Sequence, residues 1–260
     1  MGFFNNLTDS LGFGGTKVDA KLSNDMVRQG DLIEGVIEIK GGKVKRVIDN
    51  VYLKLNTLCE KESDDKTIKV SETIQELKID TNITINPKEI KTFPFEFKVS
   101  NNAPISTSRF QTWMSTSLDI KSAIDPSDKD YIKVVPNEKL QRVIEIIEHL
   151  GFRINEIDNE YTNSNNRPHR YNFIQEIEFK PSSNSIYRGR LNEVEIVSSS
   201  TDDGILIRFE IDRKAKGLRG FFMELTNTDE KLTSIFIENE SLNNINYVAS
   251  LIKDRIDRNL

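Results

Sequence analysis

A single cysteine, Cys59, stands in 260 residues. One thiol cannot form an intramolecular disulfide, so a reducing, cytoplasmic setting is expected. Histidine is nearly as scarce, with only His149 and His169. Two histidines and one cysteine cannot assemble a Cys/His zinc site. No Gly-x-Ser-x-Gly elbow, phosphate loop or His-Glu-x-x-His pattern occurs. The expectation is therefore a protein without enzymatic activity, cofactor or metal. No apolar run approaches the roughly 20 residues needed to span a bilayer. The N-terminus lacks a basic region and a clear apolar region, so secretion is not expected. Asn6 stands where N-myristoylation requires Ser or Thr. The net charge of −5 argues against a nucleic-acid footprint, which needs an excess of cations.

What the chain does have is period-2 patterning. After the turn Asn86-Pro87-Lys88, the residues Phe93, Phe95 and Phe97 alternate with polar neighbours, and Asn102-Ala103-Pro104 makes a second turn. Alternation buries one face of a strand and wets the other. Pro94 excludes a helix there. The same pattern recurs at Val18/Ala20/Leu22, at Ile33/Gly35/Ile37/Ile39 and at Val51/Leu53/Leu55/Thr57. Gly41-Gly42 reads as a tight hairpin turn and Lys61–Lys66 as a charged loop. Further strands are expected at Ile68/Val70, at Leu77/Ile79, around Trp113 and at Tyr131–Val135. Short strands between turn signals indicate a sandwich.

Three stretches switch to helical period. Residues 2–11 place Phe3, Phe4, Leu7 and Leu11 on one face. This reads as a docked helix or, alternatively, a reversible membrane or partner anchor, although the face lacks the cations a membrane anchor uses. Leu140, Val143, Ile144, Ile147 and Leu150 recur at helical spacing, with Asn137 as the cap and Gly151 as the stop. This capped helix after Pro136 marks a domain boundary. The last helix has Ser241 as its expected cap and Ile245, Val248, Ala249, Ile252 and Ile256 as its face. Between these helices, strands are expected at Phe173/Ile177/Phe179, Leu191–Val197, Ile205–Ile211 and Ile235–Ile237, with a polar loop at Tyr161–Arg170. The domains are accordingly 1–15 (helix), 16–135 (sandwich) and 136–260 (β-rich with helices).

Two charged clusters are candidate contacts between the domains or with partners. Asp119, Asp125, Asp128 and Asp130 crowd one segment and read as an Asx/Pro turn. They are also able to bind a cation or to pair with basic residues of the other domain, although the spacing is not that of an EF-hand. Arg213, Lys214, Lys216 and Arg219 place four cations in seven residues, either as a solvated turn or as a contact for acidic lipid or a partner.

The chain resembles the stage-zero sporulation protein M family, which is arrestin-like. The resemblance rests on an ordered set: Lys17-Val18-Asp19-Ala20-Lys21-Leu22, Arg28-Gln29-Gly30-Asp31, Gly35-Val36-Ile37-Glu38-Ile39, Pro94-Phe95-Glu96-Phe97, Leu118-Asp119-Ile120, Asp125-Pro126-Ser127-Asp128 and Val134-Val135-Pro136. In the second half Leu150-Gly151-Phe152-Arg153, Gln175-Glu176-Ile177-Glu178-Phe179, Tyr187-Arg188-Gly189-Arg190-Leu191 and Glu210-Ile211-Asp212-Arg213 continue it. The resemblance implies a mainly β, arrestin-like two-domain β-sandwich architecture with an N-terminal, an interdomain and a C-terminal helix. It further implies a cytoplasmic regulator of sporulation that docks other proteins, with no cofactor and no established binding residues. The other functional expectation is a membrane-peripheral adaptor using residues 2–11 and the basic segment.

Overall fold

The computed structural model describes residues 15–63, 66–120, 127–162, 171–212 and 233–258. The fold is mainly β. Among the described residues there are thirteen strands and two α-helices. The first part contains β1 (Lys17–Leu22), β2 (Met26–Arg28), β3 (Leu32–Lys40), β4 (Arg46–Ser63), β5 (Lys66–Ile85), β6 (Ile90–Lys98), β7 (Thr112–Ile120) and β8 (Ser127–Val135). Helix α1 (Glu138–His149) follows, then β9 (Phe152–Tyr161), β10 (Phe173–Pro181), β11 (Glu193–Ser200), β12 (Gly204–Asp212), β13 (Thr233–Glu238) and α2 (Ile245–Arg258). The expected helix over residues 2–11, with Phe3, Phe4, Leu7 and Leu11, lies outside the described residues.

Two sheets result. Strands β1, β3 and β6 form one, in the order β1-β3-β6. The other runs β13-β12-β11-β10-β9-β4-β7-β8-β2, with β5 also paired to β4. The strand β6 shows why alternation was decisive. Phe95 and Phe97 are buried against the facing sheet while Thr92, Pro94, Glu96 and Lys98 are exposed. Pro94 is tolerated because, among the described residues, β6 is an edge strand that pairs only with β3.

Apolar residues gather into two cores. The first is built from β1–β8, with Ile37, Leu53, Leu55, Phe97 and Met114 at its centre. The second lies between the β9–β13 strands and the two helices, with Val143, Ile147, Phe179, Phe209 and Ile252 inside. Helix α1 starts as expected, because the Asn137 side chain accepts the Leu140 N–H. Each core also takes residues from the far side of α1. Ile105, from the loop after β6, packs in the second core, and Tyr171 and Phe173 pack in the first.

Several expectations are corrected. Gly41-Gly42 does not close a hairpin: β3 pairs with β1 and β6, and the chain crosses to the other sheet before β4. Glycine is required because a Cβ on residue 41 would sit 2.0 Å from the Asn86 carbonyl oxygen. The Gly41 N–H donates to the Glu89 carbonyl at 2.8 Å, pinning the crossover to the β5–β6 turn. The pairs Ile68/Val70 and Leu77/Ile79 belong to one strand, β5, paired to β4 from Ser63↔Lys66 to Arg46↔Ile85. Most of Lys61–Lys66 is therefore strand. In the second half, Phe236 points outward, 47% exposed, while Ile235 and Ile237 are buried. The cap of α2 is Asn244, whose Oδ1 accepts the Tyr247 N–H at 3.1 Å, because Ser241 opens a separate 3-10 turn. Ile245 is 44% exposed and so lies off the buried face of α2.

Candidate functional site: a polar seam between two cores

Where the two cores meet, buried amides stand among the apolar side chains. Gln29, just after β2, donates through Nε2 to the Ala103 carbonyl and accepts the Asn137 N–H at 3.0 Å. Asn137 caps α1 with its oxygen. With its Nδ2 it donates to the Asn101 carbonyl at 3.0 Å and to Ser200 Oγ at 2.9 Å. Asn102 and Ser200 exchange two bonds: the Ser200 N–H donates to Asn102 Oδ1 at 2.7 Å and Asn102 Nδ2 donates to the Ser200 carbonyl at 3.0 Å. Gln175, on β10, accepts the Ile105 N–H at 2.7 Å and donates to the Ile105 carbonyl at 3.0 Å and to Asn159 Oδ1 at 2.8 Å. Asn159, on β9, donates to the Leu58 carbonyl of β4 at 2.9 Å. A cavity of about 20 Å³, lined by Gln29, Asn102, Ala103, Phe173 and Gln175 among others, lies in this seam, with room for about one water.

A charged clamp closes one side of the seam. Arg109, at the end of the loop after β6, holds Glu60 of β4 in a fork: Nε donates to Oε1 at 3.1 Å and Nη2 to Oε2 at 2.7 Å. Its Nη1 donates to Asp158 Oδ1 at 2.7 Å and also to Glu156, both on β9. Planar, bidentate geometry suits arginine over lysine here. The Asp158 carboxyl is pushed up to about 6, chiefly by burial and then by the charge of Glu156, with Arg109 opposing. The clamp is 40% exposed at Arg109, so its contribution is moderated by solvent. Arg109→Met should lower stability by about 1 kcal/mol at low salt, with the difference shrinking in 1 M salt. An equal loss at both salt concentrations, measured by urea unfolding, would mean that the guanidinium's stacking on the Phe110 ring, 5.2 Å from its centroid, matters and its ion pairs do not.

The acidic residues expected at the junction stand elsewhere. Asp119, on β7, accepts from Asn50 Nδ2 at 2.9 Å. Asp128 and Asp130 lie on β8 rather than in a turn, because the pairing of β8 with β7 begins at Ser117↔Ser127. Asp128 Oδ2 accepts the Ala20 N–H at 3.2 Å and so covers the outer edge of β1. Asp130 is pushed up to about 7 by burial, then by the charge of Asp128 and their hydrogen bond, and by Asp19. These bonds lie within the strands of the first core. Asp125, Arg213, Lys214, Lys216 and Arg219 lie outside the described residues, as does His169. His149 is exposed in the last turn of α1. Cys59 is fully buried in β4. Burial first, then Glu72, pushes its thiol up to about 12, against the pull of Lys61, which keeps it in the non-nucleophilic thiol form.

The residues that join the cores went unread in the sequence, except for Asn137 as a helix cap. A signal was present. Gln175 and Asn159 occupy inward positions in the alternations Phe173-x-Gln175-x-Ile177 and Ile157-x-Asn159-x-Tyr161. An amide in an apolar register is a buried polar group that needs partners.

Among the described residues, no helix is long and apolar enough to cross a membrane. The family model described as SpoOM protein matches residues 4–215. The sporulation-control protein spo0M of Bacillus subtilis (strain 168) is 35% identical over 258 residues, covering 99% of each chain. The crystal structure of Spo0M, a sporulation control protein from Bacillus subtilis, aligns with a TM-score of 0.86 over 94% of this chain and 99% of that one. With a family model covering most of its length and a relative matched from end to end, the chain belongs to the SpoOM protein family.

Proposed function

We propose that this chain is a non-enzymatic, cytoplasmic regulator of sporulation that acts as an arrestin-like protein-interaction scaffold. The units are an N-terminal sandwich over about 16–135 and a β-rich C-terminal unit over 136–260. Its relative carries sporulation control in its name, and that role is extended to this chain. The observation that carries the reading is the seam. Neutral amides and one arginine clamp fix two β units side by side, which gives a rigid frame that presents strand edges at a set spacing. The longest such edge is β5, which pairs only with β4 among the described residues. It carries Ile68 outward, 44% exposed. A partner strand can add to an edge of this kind, with backbone bonds supplying affinity and alternate side chains supplying specificity.

The test is a photo-reactive phenylalanine analogue at Ile68, with a control at exposed Glu240, in sporulating cells. The expected result is one discrete protein adduct from Ile68, absent from the control and from cells in vegetative growth. Adducts that form equally at both sites, or none at Ile68, would reject the β5 edge as the docking surface.

A further inference from the structure

The β9–β13 strands bury one face against α1 and α2. The opposite face carries carboxylates in cross-strand register. Glu156 pairs with Glu178 and Asp158 with Glu176 between β9 and β10. Glu178 pairs with Glu195 on β11, and Glu195 pairs with Glu210 on β12. Glu160 stands opposite Glu60 where β9 meets β4. Directly opposed side chains have Cβ atoms roughly 5 Å apart, where like charges destabilise a sheet.

Among the described residues, Arg109, Lys180 and Arg208 are cations that border this row. Arg109 holds Glu60, Glu156 and Asp158 at one end. Lys180 reaches Glu178 at 2.7 Å and Glu193 at 3.7 Å, and Asn155 donates to Glu178 at 2.8 Å. Arg208 stands on β12, two residues before Glu210. In the middle, Glu176 is 8% exposed and its Oε1 has no hydrogen-bond partner among the described residues. An isolated buried carboxylate is costly, and the ordinary resolution is to bind a proton.

We propose that the β9–β12 face is a proton-holding ladder. At neutral pH the carboxyls of Glu176 and Glu195 retain protons and Glu160 shares in the titration, and releasing these protons as pH rises loosens the sheet where it meets the Arg109 clamp. The chemistry agrees in direction. Glu176 is pushed well above the ordinary glutamate value, first by burial and then by Glu160 and Glu195. Burial, Glu210 and Glu193 push Glu195 up to about 8. Burial, Asp158 and Glu62 push Glu160 up to about 7. An acid whose folded pKa is raised binds its proton more tightly in the folded state. Its stabilisation is complete below the unfolded value, near 4.5, and is lost as pH rises through the folded value. The window is therefore about pH 5 to 8. Asp130 acts in the same direction from the first core, so the test must separate the two.

The experiment is urea unfolding of the full chain at pH 5.5, 7 and 8.5, for the wild type, Glu176→Gln, Glu195→Gln and Asp130→Asn. The same proteins are followed by hydrogen exchange, corrected for intrinsic rates. The wild type should lose stability as pH rises, with about a tenfold change in the unfolding constant per pH unit for each linked proton. Either glutamine variant should match the wild type at pH 5.5, exceed it at pH 8.5 and flatten the slope, because glutamine imitates the protonated acid. Asp130→Asn should remove a separate share of the slope and leave exchange in β9–β12 unchanged. Amides of β9 and of residues 105–111 should exchange faster at pH 8.5 in the wild type and not in Glu195→Gln. A slope unchanged in both glutamine variants overturns the ladder. A flattened slope with pH-independent exchange in β9 and 105–111 overturns its coupling to the clamp.

Discussion

Phe95→Ala should destabilise the protein by about 3–5 kcal/mol, the usual cost of emptying a well-packed aromatic site. The ring is 6% exposed and lies in the first core. It also has a specific seat. Phe95 stands opposite Gly35 in the β3–β6 register, and a Cβ on residue 35 would lie 2.7 Å from the Phe95 ring and 2.6 Å from the Lys21 carbonyl oxygen. The glycine leaves the space that the ring fills, so the two positions are one packing unit across β1, β3 and β6. Removing the ring leaves a cavity walled on one side by the Gly35 backbone, which cannot move in to fill it. Gly35→Ala should therefore be destabilising by itself, and the double variant should lose less than the sum of the two single losses, because half of the clash has gone. The lone tryptophan, Trp113 on β7, reports unfolding of this half by fluorescence. A loss below about 1.5 kcal/mol for Phe95→Ala, or strict additivity in the cycle, would show that the ring is not seated in this way. Phe93, which is only partly buried on the same strand, should cost clearly less when truncated.

The contrast between what could be read in the chain and what could not follows from the range of the forces involved. Burial of one strand face leaves a local trace, so Val18/Ala20, Val51/Leu53/Leu55 and Phe95/Phe97 were legible, and so was α1, whose apolar stripe and Asn137 cap lie within a few residues of each other. The strand β5 was read as two pieces because Ser71, Glu72 and Thr73 lack alternation. An edge strand that is wet for most of its length needs none. Gly41-Gly42 looked like a hairpin because glycine pairs serve tight turns, whereas here the glycine admits the Asn86 carbonyl from the neighbouring turn. The acidic cluster was read as a turn that could reach the other domain, but strand pairing with β7 drew Asp128 and Asp130 into β8. The seam was the least legible feature. Apart from the Gln175–Asn159 bond between neighbouring strands, the partners of Gln29, Asn159 and Gln175 lie 70 to 108 residues away in the chain, and no local pattern encodes which carbonyl an amide will meet.

The second large effect concerns that seam. Gln175→Leu should cost about 2–4 kcal/mol and should separate the unfolding of the two cores. The substitution keeps the size of the side chain and removes both of its polar ends. It leaves three groups without partners: the Ile105 N–H, the Ile105 carbonyl and Asn159 Oδ1. Each buried orphan costs about 1–3 kcal/mol. Water entering the adjoining cavity of about 20 Å³ recovers part of this, which brings the sum down to the stated range. Where the loss falls matters as much as its size. Ile105 inserts into the second core while its backbone is held by the loop that also carries Ala103 of the first core and Arg109 of the clamp. Releasing that backbone removes one of the links through which one core feels the other. In the wild type, Trp113 fluorescence and far-ultraviolet circular dichroism should give one coincident urea transition, the sign of cooperative two-state unfolding. In Gln175→Leu the two probes should separate, with the dichroism change broadened because β9–β13 and the helices unfold at a different midpoint from β7. Coincident transitions in the variant, or a loss under about 0.5 kcal/mol, would mean that the clamp and Asn137 couple the cores without Gln175. Arg109→Met then becomes the informative partner: combined with Gln175→Leu it should split the transitions further, since the two residues fix the same loop from opposite ends, and contacts that share a loop do not add independently.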